Sequence, residues 1–138
     1  MGIYRCALCE GFGSGAKCGC GAELDHSGGP QAVDHPGLLR AIERSPVPVF
    51  VDFWAPWCGP CNISAPAVKA LAASMAGDLI VLALDTQAAP VAGEVHAIYA
   101  IPTFALFARG EEVARRVGLL PGGEMERWVR SLAAEVRG

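Results

Sequence analysis

Two thiols sit three positions apart in the run Trp57-Cys58-Gly59-Pro60-Cys61. The largely apolar stretch Val47–Trp54 before them reads as a strand. From Asn62 onward Ile63, Val68 and Leu71 read as the apolar side of a helix, with Lys69 polar. Cys58 is therefore expected at or just before a helix N-terminus, where unpaired N–H groups and the positive end of the helix dipole favour an anion. A thiolate is such an anion, so Cys58 should ionise more readily than a free cysteine. Cys61, one turn further on, is close enough to close a disulfide with it. The chemistry this spacing supports is thiol–disulfide exchange. Cys58, expected to be the less buried of the two, attacks a substrate disulfide, and Cys61 then attacks the mixed disulfide to release reduced substrate. A structural disulfide or half of a metal site is the competing reading.

Asp52 is the next most telling residue. Strand alternation puts Val49, Val51 and Phe53 on one face and Phe50, Asp52 and Trp54 on the other. A carboxylate between aromatics in a central strand is costly to ionise, so its pKa should rise. Such a base, poised near neutrality, would take the proton from Cys61 directly or through a water. A buried Asp merely satisfied by its neighbours is the alternative.

Four more cysteines crowd into the first twenty residues, as Cys6-Ala7-Leu8-Cys9 and Cys18-Gly19-Cys20-Gly21. Zinc favours four soft ligands in a tetrahedron, and binding it can fold a short segment that lacks a core. Glycines after and between the ligands let backbone amides turn toward the sulfurs. A redox-active or disordered tail is the other reading. His35 and His96 have no partner visible in the sequence and read as surface residues.

Composition bounds the rest. The chain has 138 residues, 52% of them hydrophobic, enough for one packed domain with a small appendage. The longest apolar run, Leu79–Leu84, is strand-sized and far below the roughly 18 residues of a membrane span. Net charge is −3 with Lys and Arg scattered, which argues against nucleic acid as a partner. Six cysteines fall short of the roughly 8–10% of a secreted disulfide scaffold. The N-terminus lacks a basic segment followed by an apolar stretch, so a reducing cytoplasm is expected, where cysteine clusters are metal ligands or catalysts more often than structural bridges.

Residues 1–30 are expected to form a zinc-binding module and linker, ending in Asp25–Pro30, and residues 31–138 the main domain. There a short extended piece around Gln31–Val33 precedes a helical stripe, Leu38, Leu39 and Ile42, with Asp34 as its cap. The strand Val47–Trp54 and a helix from about Cys58 to Ala76 follow; Pro66 lies inside that helix and should kink it. Leu79–Asp85 reads as a buried strand and Pro90–His96 as a weaker helix. Thr103–Ala108 and Glu112–Val117 read as a hairpin turning at Arg109-Gly110-Glu111. Met125, Trp128, Val129, Leu132 and Val136 mark a last helix. This order implies an α/β domain with one mixed sheet and helices on both faces.

The segment Val51-Asp52-Phe53-Trp54-Ala55-Pro56-Trp57-Cys58-Gly59-Pro60-Cys61, with Pro66, Ile101-Pro102-Thr103 and Val117-Gly118, closely resembles the thioredoxin family. The resemblance covers about Gln31 to the C-terminus. It implies the thioredoxin fold, a cis peptide before Pro102, and a proton-accepting role for Asp52. It also implies a lowered pKa for the first cysteine, a property for which thioredoxins are themselves a standard example. Trp57, Gly59, Pro60, Ile101, Pro102 and Gly118 are then expected to bind the partner peptide. Pro102 offers no N–H, which leaves the Ile101 backbone to pair with an extended chain. The family often carries a lysine in the strand next to this Asp; the aligned residue is Ala83, which should push the Asp52 pKa higher still. The cysteine quartet is similar to the N-terminal zinc site of the thioredoxin-2 branch. That site has CxxC as its second pair where this chain has CxC, so His26 is a candidate substitute for the fourth ligand.

The resemblance implies a protein-disulfide reductase, recharged by a flavin-dependent thioredoxin reductase drawing on NADPH. The chain is expected to be a monomer that binds one structural Zn2+, no organic cofactor, no nucleic acid and no membrane. The competing functions are a disulfide oxidase or isomerase, against which Gly59-Pro60 argues, and a redox-switched, zinc-dependent chaperone-like module.

Overall fold

The computed structural model describes residues 2–27, 29–121 and 123–137; Met1, Gly28 of the linker, Gly122 and Gly138 lie outside the described residues. The N-terminal segment holds two short antiparallel strands, β1 (Tyr4–Arg5) and β2 (Phe12–Gly13). The chain continues through β3 (Gln31–Ala32), α1 (His35–Arg44), β4 (Val49–Trp54) and α2 (Gly59–Ser74). Then come β5 (Ile80–Asp85), α3 (Pro90–Val95), β6 (Thr103–Ala108), β7 (Glu111–Val117) and α4 (Glu124–Arg137).

Strands β3 to β7 form one mixed sheet in the order β3-β5-β4-β6-β7. β3 and β4 run parallel to β5, while β6 is antiparallel to both β4 and β7. A sheet covered on both faces follows from the period of the strands. In β4, Val49, Val51 and Phe53 face a core completed by Leu38 and Ile42 of α1, and Phe50 faces one completed by Leu71 of α2 and Met125 and Val129 of α4. Two apolar faces need two helical layers, so the sheet is central.

Local chemistry sets the boundaries. Asp34 caps α1, its Oδ1 accepting the Gly37 N–H at 2.8 Å. β4 begins at Val49, two residues later than expected, just after Pro48, which has no N–H for the ladder. α2 is continuous through Pro66. The β6–β7 turn holds Arg109 and Gly110 at φ 56° and 83°, the doubly positive pair of a two-residue hairpin. β7, one of the two outer strands, carries Glu111, Glu112, Arg115 and Arg116; Arg115 bonds Glu112 (2.6 Å) and the carbonyls of His96 and Ala97, and Arg116 bonds Glu124 (2.6 Å).

The expectation of surface positions for His35 and His96 is corrected. Both are half-buried, their Nε2 atoms 3.2 Å apart, where the start of α1 meets the end of α3. Burial first, and His35 second, lower the His96 pKa. Their sequence separation of 61 residues hides this pairing.

The N-terminal segment has a small core of Cys6, Cys18 and Leu24, and it is tied to the sheet by polar groups. Arg5, only 5% exposed at its side chain, donates to Gln31 Oε1 (2.6 Å) and Glu10 Oε1 (3.0 Å), and Glu10 also binds Arg40 of α1. Ile3 N–H donates to Gly77 O at 2.7 Å. Arg5→Met removes the donor from two partly buried acceptors and should cost about 1–3 kcal/mol. Amide exchange in β1 and β2 should rise while α2 keeps its protection; unchanged exchange in β1 and β2 would refute the tie.

Candidate functional site

Cys58 is the N-cap of α2, and its Sγ accepts the N–H of Cys61 at 3.2 Å. The two cysteines are joined in a disulfide with Cα atoms 5.2 Å apart. A residue in extended conformation (φ −84°, ψ 110°) immediately before a helix with proline in its first turn places the sulfur over the free amides. Ala55 and, partly buried, Trp54 and Ile101 pack around the sulfurs, while Trp57 is 70% exposed. The expectation that Cys58 is the less buried cysteine is corrected: each is 4% exposed, packed with Ala55, Trp54 and Ile101. They differ in what they face. Cys58 Sγ lies 3.8 Å from Ile101 O, whereas Cys61 lines a cleft on the α2 side of the sheet.

The Ile101–Pro102 peptide is cis. Gly118, at φ 89°, donates its N–H to Pro102 O at 2.8 Å, fixing the loop next to the end of β7. Trp57 thus lies in the loop before α2, Gly59 and Pro60 in the first turn of α2, and Ile101 and Pro102 in the loop before β6, which Gly118 supports.

Asp52 stands on β4, in register with Ala83 of β5 and Phe104 of β6. It is 8% exposed, and its Oδ1 has no hydrogen-bond partner among the described residues. Burial raises its pKa to about 7. Asp52 and Cys61 line the same cleft, of about 670 Å³, with Trp54, Pro66, Lys69 and Ala83. Lys69 and Asn62 did not stand out in the sequence as site residues; the helical spacing of Asn62, Ala65, Pro66 and Lys69 was the available signal. The arrangement can hold one sulfur as an anion, present a second beside a base, and expose an apolar loop to a partner.

The thioredoxin family model matches residues 37–131. The chain belongs to the thioredoxin family. It is a thiol–disulfide oxidoreductase, and the Cys58–Cys61 disulfide is the redox pair of thioredoxin-type dithiol–disulfide exchange. It is 44% identical over 91 residues to the chloroplastic M-type thioredoxin of Spinacia oleracea, covering 66% of this chain and 50% of that protein. Over 88 residues it is 41% identical to thioredoxin 1 of Chlorobaculum tepidum, covering 64% of this chain and 87% of the relative. Among solved structures, chloroplastic thioredoxin z superposes with a TM-score of 0.71 at 26% identity, covering 77% of this chain and 96% of the other. Among the described residues no helix is long and apolar enough to cross a membrane.

The cysteine quartet lies before the thioredoxin match. Sγ atoms of Cys6, Cys9, Cys18 and Cys20 all fall within 4.8 Å of one another, with Cys9–Cys18 at 3.4 Å and Cys6–Cys20 at 3.8 Å. Ligands about 2.3 Å from a tetrahedral zinc stand about 3.8 Å apart, so four thiolates here fit a metal ion. Backbone amides point at the sulfurs: Cys9 N–H at Cys6 (3.5 Å) and Gly11 N–H at Cys9 (3.4 Å). The first of these is the largest influence bringing the Cys6 thiol down to about 7. His26, the candidate substitute ligand, is elsewhere. Its ring stacks on Tyr4 at 4.0 Å and its Nε2 is 2.7 Å from Gly15 O. The CxC pair reaches the cluster because Cys18 and Ala22 close a turn on which Cys20 sits.

Proposed function

We propose that the chain is a protein-disulfide reductase of the zinc-bearing thioredoxin-2 type, with a metal module in residues 1–30 and a catalytic domain in residues 31–138. The observation that carries the reading is the sulfur of Cys58 at the head of α2, beside Ile101 O, with Cys61 and Asp52 sharing the cleft behind. A substrate segment lies along Trp57, Ile101, Pro102 and Gly118, pairing with the Ile101 backbone. The Cys58 thiolate attacks one substrate sulfur; the substrate disulfide breaks, and a mixed disulfide and one substrate thiolate result. Cys61 gives its proton to Asp52 and attacks Cys58 Sγ. The mixed disulfide breaks, a second substrate thiolate leaves, and Cys58–Cys61 forms. Two electrons have passed to the substrate, and its thiolates take up the protons.

Thioredoxin reductase, drawing on NADPH, returns the pair to the dithiol. Cys6, Cys9, Cys18 and Cys20 would hold Zn2+; with four protein ligands the ion supplies a cross-link and no open position for catalysis. The chain works as a monomer in the cytoplasm. The test is NADPH consumption with thioredoxin reductase and a generic protein disulfide. Steady turnover dependent on this chain supports the reading, and no turnover while the chain remains folded overturns it.

Metal removal separates the two parts. Metal analysis should find one zinc per chain, and chelation should strip amide protection from β1 and β2. Disulfide exchange by the rest of the chain should persist; protection unchanged after verified metal loss would refute the cross-linking role.

A further inference from the structure

Ala83 stands in register beside Asp52 and contributes only a methyl group, so the space next to the carboxylate stays open. The cleft there is about 670 Å³, within the roughly 300–1,000 Å³ range of small-molecule sites. Its walls are mainly apolar, from Pro30, Trp54, Ala65, Pro66, Val68 and Ala83. At its base Asp52 is more than nine-tenths buried with Oδ1 unpartnered among the described residues. Lys69 and Asn62 line the same cleft from exposed positions on α2, and no ion pair joins Lys69 to Asp52 among the described residues. A buried carboxylate without a donor is costly, and an occupant that donates to its cleft-facing side offsets part of that cost. The carboxylate repels anions, the walls favour carbon, and an N–H cation satisfies both.

We propose that this cleft binds a small primary ammonium ion carrying a short apolar chain, its N–H groups donating to the part of the Asp52 carboxylate that lines the cleft, beside the space that Ala83 leaves open. The alkyl chain lies against Pro66 and Trp54. Because Cys61 lines the same cleft, an occupant stands where the proton leaves that thiol and holds Asp52 in its ionised form. This consequence rests on the role assigned to Asp52 above; the binding itself does not.

The test uses the full oxidised chain with zinc, labelled with 13C at Asp carboxyls and at methyl groups, titrated with n-butylammonium at about pH 8, where Asp52 is largely ionised. Saturable shifts should appear at Asp52, Ala83 and Val68, with millimolar affinity. Affinity should fall about tenfold or more in Asp52→Asn and in Ala83→Met, which fills the cleft. Tetramethylammonium, a cation with no N–H to donate, should bind at least as weakly as butylammonium binds to those variants. Non-saturating shifts, equal affinity in Asp52→Asn, or equal binding of tetramethylammonium would overturn the proposal. Resolution of a Cys58 mixed disulfide, followed separately, distinguishes the two readings. Saturable binding that leaves this rate unchanged upholds the site and overturns the proton-accepting role of Asp52.

Discussion

Cys58→Ser should abolish disulfide reduction, with turnover lost by on the order of a thousandfold or more, because a serine hydroxyl neither ionises near neutrality nor forms a disulfide. Cys61→Ser should behave differently. The N–H that reaches Cys58 Sγ belongs to the backbone of residue 61, so it survives the substitution, as does the capping geometry of α2. The first attack therefore proceeds and the second cannot, and the variant should accumulate a covalent adduct with its target. Mass spectrometry under non-reducing conditions checks this. Equal residual turnover in the two variants, or adducts on both, would overturn the assignment. Alkylation of the reduced protein near neutral pH gives a second measure: Cys58 should be labelled much faster than Cys61.

Asp52→Asn should make the folded protein more stable, and only above acid pH. The carboxyl group titrates near 3.8 when unfolded and at about 7 in the fold, where burial opposes its charge. Between these values the folded chain holds a proton that the unfolded chain has lost, so rising pH favours unfolding. Below the unfolded pKa both states are protonated and the group contributes no difference. Above the folded value the full cost of a buried, unpaired carboxylate is present, about 4 kcal/mol at about 1.4 kcal/mol for each pH unit of separation. Among the groups lining its cleft, Lys69 on α2 is the charged one, and Ala83 and Phe104 on the flanking strands carry no charge. Denaturant midpoints of oxidised wild type and variant should coincide near pH 3 to 4 and diverge to about pH 8, the variant ahead. A difference independent of pH would refute the buried-carboxylate account. The same variant should slow resolution of the Cys58 mixed disulfide about a hundredfold.

The main domain was legible because its strands and helices follow their own periods. Val49, Val51 and Phe53 against Phe50 and Asp52 placed the carboxylate on the α2 face, and the register of β4 with β5 puts Ala83 beside it, where the family alignment had placed it. The neighbourhood of Ile101-Pro102 was legible through the family motif alone, since no local pattern joins residue 101 to residue 58. Relations between distant residues were hidden. The contact of His35 with His96, the equal burial of Cys58 and Cys61, and the part played by Lys69 depend on how elements pack. The N-terminal segment has too few apolar residues for a period. Its placement rests on Arg5, Glu10, Gln31 and Arg40, polar residues whose pairing no spacing rule reveals.

The charges along β7 bear on how this chain meets others. An outer strand offers unpaired backbone groups on which foreign chains can polymerise. Here Glu111, Glu112, Arg115 and Arg116 would bring their hydration and their bonds to Glu124 and to the carbonyls of His96 and Ala97 into any such association. Addition of a foreign strand along this margin is thereby disfavoured.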